Sequence, residues 1–240
     1  MLRTTRNADE LRPLSIEPAV AKFAAGSARI ALGDTIVLCT ASLSDGVPRW
    51  LRGSGRGWLT AEYSMLPGAT PTRTAREAVR GRQSGRTMEI QRLIGRSLRS
   101  VVDLGIVGER TIAVDCDVLQ ADGGTRTAGI TGAYVAVYQV ALKIKDLLGL
   151  NEVPLFDSLS AISVGVVDGR TLLDLDYEED SAAAIDMNVV MTGAGKLVEV
   201  QATAEGEPYA RETLDEMLDL AAAGAAAQAA AQTAAVEALG

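Results

Sequence analysis

The sequence predicts a mixed α/β chain, α+β in its ordering, built from two β-rich halves that each end in helix. Three observations carry this. Two pairs of β-rich runs fold about short turns, at Gly33-Asp34 and at Asp168-Gly169, and Asp-Gly between such runs is a strong hairpin signal. Two stretches switch to a helical period, one from Arg86 and one from Thr125. The order hairpin, strand, helix, strand, helix is then followed by hairpin, strand pair, helix, an internal pseudo-repetition.

The elements follow in order. Residues 26–33 and 35–43 form the first hairpin, and residues 58–66 a third strand beyond the Gly/Arg-rich loop 52–57. Residues 67–85 hold Pro, Gly, Arg and Thr without a period and read as a loop. From Arg86, the positions Ile90, Leu93, Ile94, Leu98, Val101 and Val102 form one apolar helical stripe, flanked by Arg92, Arg96 and Arg99, with Glu89 in reach of Arg92 or Arg96. Residues 111–119 alternate, placing Ile112, Val114, Cys116 and Val118 on one face and Asp115 and Asp117 on the other. Gly123-Gly124 ends that strand, and a mostly apolar helix runs from Thr125 to Leu148. The second hairpin pairs 160–167 with 171–176, with Asp174 and Asp176 on one strand face; strands 187–191 and 196–203 follow. From about residue 209 a helix continues into an alanine-rich tract, 221–239, helical by propensity and expected to bury little. The whole reads as a single domain over 1–240, with a core at about 9–208 and this C-terminal helix.

Composition narrows the chemistry. With 240 residues, 48% of them hydrophobic, the chain can bury a real core, which excludes global disorder. No apolar run approaches the ~20 residues of a membrane span, and the first thirteen residues lack the apolar stretch of a secretory signal. Cys39 and Cys116 sit in strand-like apolar runs and read as buried free thiols, so a cytoplasmic protein is expected. Histidine is absent, which excludes a Ser-His-Asp triad, an imidazole base and a histidine-ligated zinc. Catalysis must then run on carboxylates, arginines, backbone amides or a hard metal. The net charge of −8 is unevenly spread: residues 1–100 carry 16 basic and 8 acidic side chains, residues 101–240 carry 7 and 23. Nineteen of the 23 cations are Arg, eight of them between positions 73 and 99, and Arg suits planar recognition of phosphate. An Arg-rich face on an acidic chain points to a local nucleic-acid or phosphate site, or to solvated surface arginines.

Two constellations carry candidate chemistry. Asp122-Gly123-Gly124-Thr125-Arg126-Thr127 stands where a strand ends and a helix begins. Its glycines permit close backbone approach, the first helical turn offers unpaired N–H groups, and Thr125 and Arg126 add a hydroxyl and a guanidinium. Gly85-Arg86-Thr87 opens a second helix in the same way. The same residues serve equally as a tight strand-to-helix turn with a threonine cap. The second constellation is Asp174, Asp176, Glu178, Glu179, Asp180 and Asp186: carboxylates without His or Cys, suited to a hard cation such as Mg²⁺ or to a general acid, or to a solvated acidic loop. Cradle, acids and Arg-rich face together suggest metal-assisted phosphoryl transfer on a polyanion, with water or phosphate as nucleophile left open.

Over residues 9–208 the sequence resembles the ribonuclease PH family of phosphate-dependent 3′-exoribonucleases, relatives of exosome cores, which trim tRNA precursors. The likeness rests on Gly33-Asp34-Thr35 through Ala41, on Gly57-Trp58-Leu59-Thr60-Ala61-Glu62-Tyr63-Ser64 through Pro67, and on Gly85-Arg86-Thr87-Met88-Glu89-Ile90 through Arg99. It continues in Asp115 through Thr127, and in Tyr177-Glu178-Glu179-Asp180-Ser181 with Asp186-Met187-Asn188. It implies a ribosomal-protein-S5-domain-2-like β-α-β arrangement, duplicated and ring-forming. It further implies phosphate held by Arg86, Gly124, Thr125 and Arg126, catalysis and metal binding by Asp180 and Asp186, and RNA gripped by Arg73 and Arg76. Mg²⁺, inorganic phosphate as co-substrate, a tRNA 3′ end and a homohexamer, a trimer of dimers, complete the implication. Gly68 and Pro71 depart from the family's pattern of a polar residue and a histidine, which bears on RNA capture rather than on phosphate. The alternative activity is that of a catalytically weak, RNA-binding scaffold subunit of a ring.

Overall fold

A computed structural model describes Arg3 and residues 5–239. The first half is a five-stranded sheet: β1 (Leu14–Pro18), β2 (Gly26–Leu32), β3 (Thr35–Asp45), β4 (Trp58–Met65) and β5 (Arg110–Gln120), in spatial order β1-β2-β3-β5-β4. Between β4 and β5 lie α1 (Glu77–Arg80), α2 (Gly85–Arg99) and α3 (Leu104–Val107). That crossover makes β4 parallel to β5, while the other pairs are antiparallel. After β5 comes α4 (Thr125–Leu148). The second half holds β6 (Leu159–Val167), β7 (Arg170–Leu173), α5 (Tyr177–Ala182), β8 (Ile185–Thr192), β9 (Leu197–Ala204) and α6 (Arg211–Glu237). Its four strands form an antiparallel sheet in the order β7-β6-β8-β9. The mixed, pseudo-repeated architecture read from the sequence is the observed one.

Both predicted hairpins form, β2–β3 and β6–β7, and α4 occupies the predicted span. Helix α4 packs on β2 and β3 on one side and on β6 on the other, so it carries almost no polar face and most of its residues are buried. Gly132 shows how close the approach is: a Cβ there would stand 2.7 Å from Ile30 Cγ2 and 2.9 Å from Cys39 Sγ. Cys39 and Cys116 are both free and buried on the core face of the first sheet, directly opposite each other on β3 and β5.

The structure departs from the sequence reading at several points. Helix α2 ends at Arg99, so Val101 and Val102 join the core from the turn beyond it. Glu89 does not pair along its helix; it faces Arg126 at 3.7 Å, while Arg96 pairs with Glu199 at 3.0 Å. The loop 67–85 contains α1, and the edge strand β1, where Leu14 and Ile16 alternate with Ser15 and Glu17 over only five residues, precedes the first predicted hairpin. Helix α6 buries more than its composition suggests. Its small residues Ala221, Gly224 and Ala225 let it lie close on β6, and Gln228 and Gln232 are buried with it. Gln232 Nε2 donates to the carbonyls of Thr131 and Leu159, each at 2.8 Å, tying α6 to both α4 and β6.

Gln232→Leu removes this buried donor from two carbonyls and is expected to cost about 1–3 kcal/mol. Thermal unfolding should then shift down by roughly 2–4 °C per kcal/mol, with exposed Thr233→Ala near wild type as the control.

Candidate active site

The strand-to-helix turn after β5 is shaped by two left-handed glycines, Gly123 (φ 74°) and Gly124 (φ 65°), and Gly124 is the N-cap of α4. Gly123 is required for space as well as for its dihedral. A Cβ there would come within 2.6 Å of the Leu175 carbonyl oxygen, so the turn of the first half lies directly on the backbone of the second. Thr35 holds the turn from below: its hydroxyl accepts from the Asp122 N–H (2.9 Å) and donates to the Gly123 carbonyl (2.6 Å). The open N–H groups at the start of α4 and the positive end of its dipole make this an anion site. The Thr125 hydroxyl is fixed by Tyr63 Oη at 2.8 Å, and burial raises the Tyr63 phenol, which keeps it neutral.

The acidic stretch is not the strand face that its alternation predicts. Strand β7 stops at Leu173, because Asp174 takes a left-handed conformation (φ 55°) and turns its carboxylate into the protein. Asp176 is the N-cap of α5, closing a capping box with Glu179. Asp174 pairs with Arg12 at 2.7 Å, and Glu179 binds Arg3 through Nε and Nη2, both at 2.6 Å, and Arg6 at 3.0 Å. Asp174 and Glu179 are therefore structural ion-pair partners. That leaves Asp180, from α5, and Asp186, from β8, to face the start of α4.

A small cavity of about 70 Å³ is lined by Arg86, Gly124, Thr125, Arg126, Asp180 and Asp186, together with Ser163 and Asn188. All six residues proposed for phosphate, metal and catalysis thus meet in one place. Asp180 reaches solvent at the cavity mouth, yet enough protein surrounds it that desolvation, then the charge of Asp186, pushes its carboxyl above the usual range. Arg86, Arg126 and Arg12 pull it the other way. Arg126 is steadied by Gln201 (3.0 Å) and Glu89 (3.7 Å). Ser163 and Asn188 were not singled out as site residues, although they are register partners on β6 and β8 and Asn188 follows Asp186 by two residues, on the same face.

Arg73 and Arg76 lie elsewhere. Both are exposed, and Arg76 borders a wider depression on the outer face of β4 and β5 with Thr40, Glu62, Asp115 and Asp117. There, burial and then Glu62 push the Asp115 carboxyl up, and burial pushes up Asp117 while Arg76 lowers it. Arg99 is taken up by structure: it donates to the Leu59 carbonyl at 2.9 Å and lies 4.8 Å over the Trp58 ring.

Two profiles of the 3′ exoribonuclease family match this chain, domain 1 over residues 10–143 and domain 2 over residues 157–224. The chain belongs to the 3′ exoribonuclease family. It is 59% identical over 225 residues to the protein named Ribonuclease PH of Moorella thermoacetica, covering 93% of this chain and 90% of that one. It is 58% identical to that of Methylocella silvestris, covering 93% and 94%. Among solved structures, the rice Rrp46 crystal structure has a similar fold (TM-score 0.79, 20% identity, 97% and 98% of the two chains). So does the Archaeoglobus fulgidus exosome with RNA bound to its active site (TM-score 0.74, 25% identity, 92% and 88%).

The cavity lies at the seam of the two 3′ exoribonuclease domains. Domain 1 supplies Arg86 and residues 124–126; domain 2 supplies Ser163, Asp180, Asp186 and Asn188. Placement of the acids therefore depends on what ties domain 2 down, and the Arg3–Glu179 pair is part of it. Burial alone would raise Glu179, but the hydrogen bond from Arg3, the Asp176 N–H and the nearby guanidinium charges hold it below its ordinary 4.5.

A depressed carboxyl stabilises the fold fully above its unfolded value and loses that contribution as pH falls through the lower folded one. Stability should therefore decline as pH falls below about 4.5. Glu179→Gln should be less stable near neutral pH and show a shallower acid dependence, read by chemical denaturation across pH 3–7.

Proposed function

We propose that this chain is a phosphorolytic 3′-to-5′ exoribonuclease, a tRNA nucleotidyltransferase that shortens the 3′ end of tRNA precursors with inorganic phosphate and releases nucleoside 5′-diphosphates. Relatives at 58–59% identity carry the name Ribonuclease PH, and a single observation in the structure carries the chemistry: an anion cradle and two carboxylates face each other across one cavity. Phosphate fits the cradle because helix N–H groups, the Thr125 hydroxyl and the Arg86 and Arg126 guanidiniums all donate; a hydrolase would need only to orient a neutral water. A charge-assisted hydrogen bond to an anion contributes about 1.5–3 kcal/mol.

The reaction follows from this arrangement. Arg86, Arg126 and the start of α4 hold phosphate with one oxygen directed at the last phosphodiester phosphorus. A new P–O–P linkage forms as the P–O3′ bond breaks, giving the nucleoside diphosphate and an RNA shorter by one residue. The departing 3′ oxygen takes a proton or is stabilised from the side of Asp180 and Asp186. The donors are fixed before charge develops, by Tyr63 on Thr125 and Gln201 on Arg126.

The donor set also suits Mg²⁺. Among the described residues no group of three or more acids, cysteines or histidines is arranged to hold an ion, and Mg²⁺ characteristically takes one or two carboxylates and completes its shell with water and substrate phosphate. Asp180 and Asp186, with Asp180 raised partly by its neighbour's charge, fit that role. Bound there, the ion would neutralise charge on the transferring phosphoryl group. We assign Arg73 and Arg76 to the RNA backbone, supplied around the opening of a homohexamer, a trimer of dimers. The relatives of similar fold that form an exosome core support a ring. No helix of the described residues is long and apolar enough to cross a membrane, and two free buried thiols suit the reducing cytoplasm.

Incubation of 3′-extended tRNA with Mg²⁺ should yield nucleoside diphosphates only when phosphate is added; monophosphates irrespective of phosphate would overturn the reading. Arg126→Ala should raise the phosphate KM about ten- to a hundredfold in an intact fold. Asp186→Asn should lower kcat about a hundredfold or more while RNA still binds. The double variant Arg73→Ala/Arg76→Ala should leave the phosphate KM unchanged, weaken RNA binding, and flatten the slope of log K against log salt by roughly 1.4 for two lost single-strand contacts. An unchanged slope would remove both arginines from the RNA path.

A further inference from the structure

Arg12 precedes β1 in sequence, yet its side chain is only 6% exposed and joins the backbone just behind the cradle to the segment that leads into α5. Toward domain 2 it grips Asp174 through Nε (3.0 Å) and Nη2 (2.7 Å), and its own backbone N–H donates to the same carboxylate at 2.8 Å. Toward domain 1, Nη1 donates to the Asp122 carbonyl and Nη2 to the Gly123 carbonyl at 3.5 Å. The guanidinium stands immediately behind the cradle, since a Cβ on Gly124 would lie 3.2 Å from Nη2. Its stem is confined by Gly33, where a Cβ would meet Cδ at 2.6 Å.

Resting on the phosphate site argued above, we propose that Arg12 is a positioning residue for phosphorolysis: it touches neither substrate and sets the distance and orientation between the phosphate cradle and the catalytic acids. A trans peptide is planar, so anchoring the carbonyls of Asp122 and Gly123 fixes the opposed N–H groups of Gly123 and Gly124 as the chain enters α4. The other arm of the fork fixes Asp174, and through the Asp174-Leu175-Asp176 backbone fixes the start of α5, which carries Asp180. A planar fork with several donors can serve both sides together; the single ammonium of lysine cannot. Arg12 also lowers the Asp180 carboxyl through space, so its charge is felt in the cavity without contact.

The test compares Arg12→Lys and Asp174→Asn with wild type and with Arg126→Ala, in the full chain. Asp174→Asn keeps size and one acceptor oxygen and is the milder lesion should Arg12→Lys fail to fold. Tm, assembly state, RNA affinity, and kcat and KM for phosphate are measured well below each Tm. Misplacement of reacting groups should raise the phosphate KM or lower kcat about ten- to a hundredfold, with RNA affinity and assembly unchanged. If a folded variant loses Tm but keeps wild-type phosphate kinetics, Arg12 is structural only and the proposal falls. If Arg126→Ala also keeps wild-type phosphate kinetics, it is the cradle assignment itself that fails.

Discussion

Two sheets closing on one helix is the constraint on which the rest of this structure depends. Helix α4 must satisfy β2 and β3 on one side and β6 on the other, so it can afford almost no polar surface; Gly132 makes room for Ile30 and Cys39, and the Ala136 backbone lies against Gly26 of β2. Because the helix is shared, its N-terminus lies at the seam between the two family domains. An unpaired helix start buried between two layers would be a liability in most proteins. Here the unpaired N–H groups face a cavity that offers an anion a place, so the same geometry that completes the core supplies the phosphate cradle.

Buried charge fastens the seam alongside the apolar packing of α4. Arg3, Arg6 and Arg12 reach from the N-terminal segment into domain 2 and meet Asp174 and Glu179, both almost fully buried. Such pairs add little net stability, since desolvation offsets most of their attraction, whereas removal of one partner costs about 3–5 kcal/mol by stranding the other. Their effect is one of register: a bidentate guanidinium accepts its carboxylate in few orientations, and the positive φ of Asp174, uncommon outside glycine, turns that carboxylate toward Arg12.

How far the sequence disclosed this varies with the range of the interaction. Hairpins at Gly33-Asp34 and Asp168-Gly169 and the full span of α4 were legible because their signals are local: turn residues, a glycine pair before the helix and a long apolar run within it. The six cavity residues were legible through their motifs, and the structure adds that they meet. Asp174-Leu175-Asp176 misled because alternation describes side chains on an extended backbone, and the strand had ended where Asp174 turned inward toward Arg12, 162 residues away. Helix α6 misled in the opposite direction. Hydropathy counts Gln228 and Gln232 as polar and alanine as small, while close packing on β6 makes the alanines the point of contact and the glutamines internal hydrogen-bonding groups.

The same pairing resolves a difficulty in the charge of the molecule. A net charge of −8, with domain 2 far more acidic than domain 1, should repel both phosphate and RNA. Yet Asp174 and Glu179 are neutralised by arginines of the N-terminal segment, and Asp176 faces the positive end of α5. What remains at the cavity is two carboxylates against Arg86, Arg126 and the dipole of α4, with the charge of Arg12 just behind. Local field, not net charge, governs an anion within a few ångströms, because more distant exposed charges are screened over about 8–10 Å of saline. The two acids that line the cavity are those a divalent cation and a departing 3′ oxygen would use. An acidic protein can therefore present a phosphate site: Arg86, Arg126 and the start of α4 supply the donors, and the buried arginines of the N-terminal segment neutralise Asp174 and Glu179 next to it.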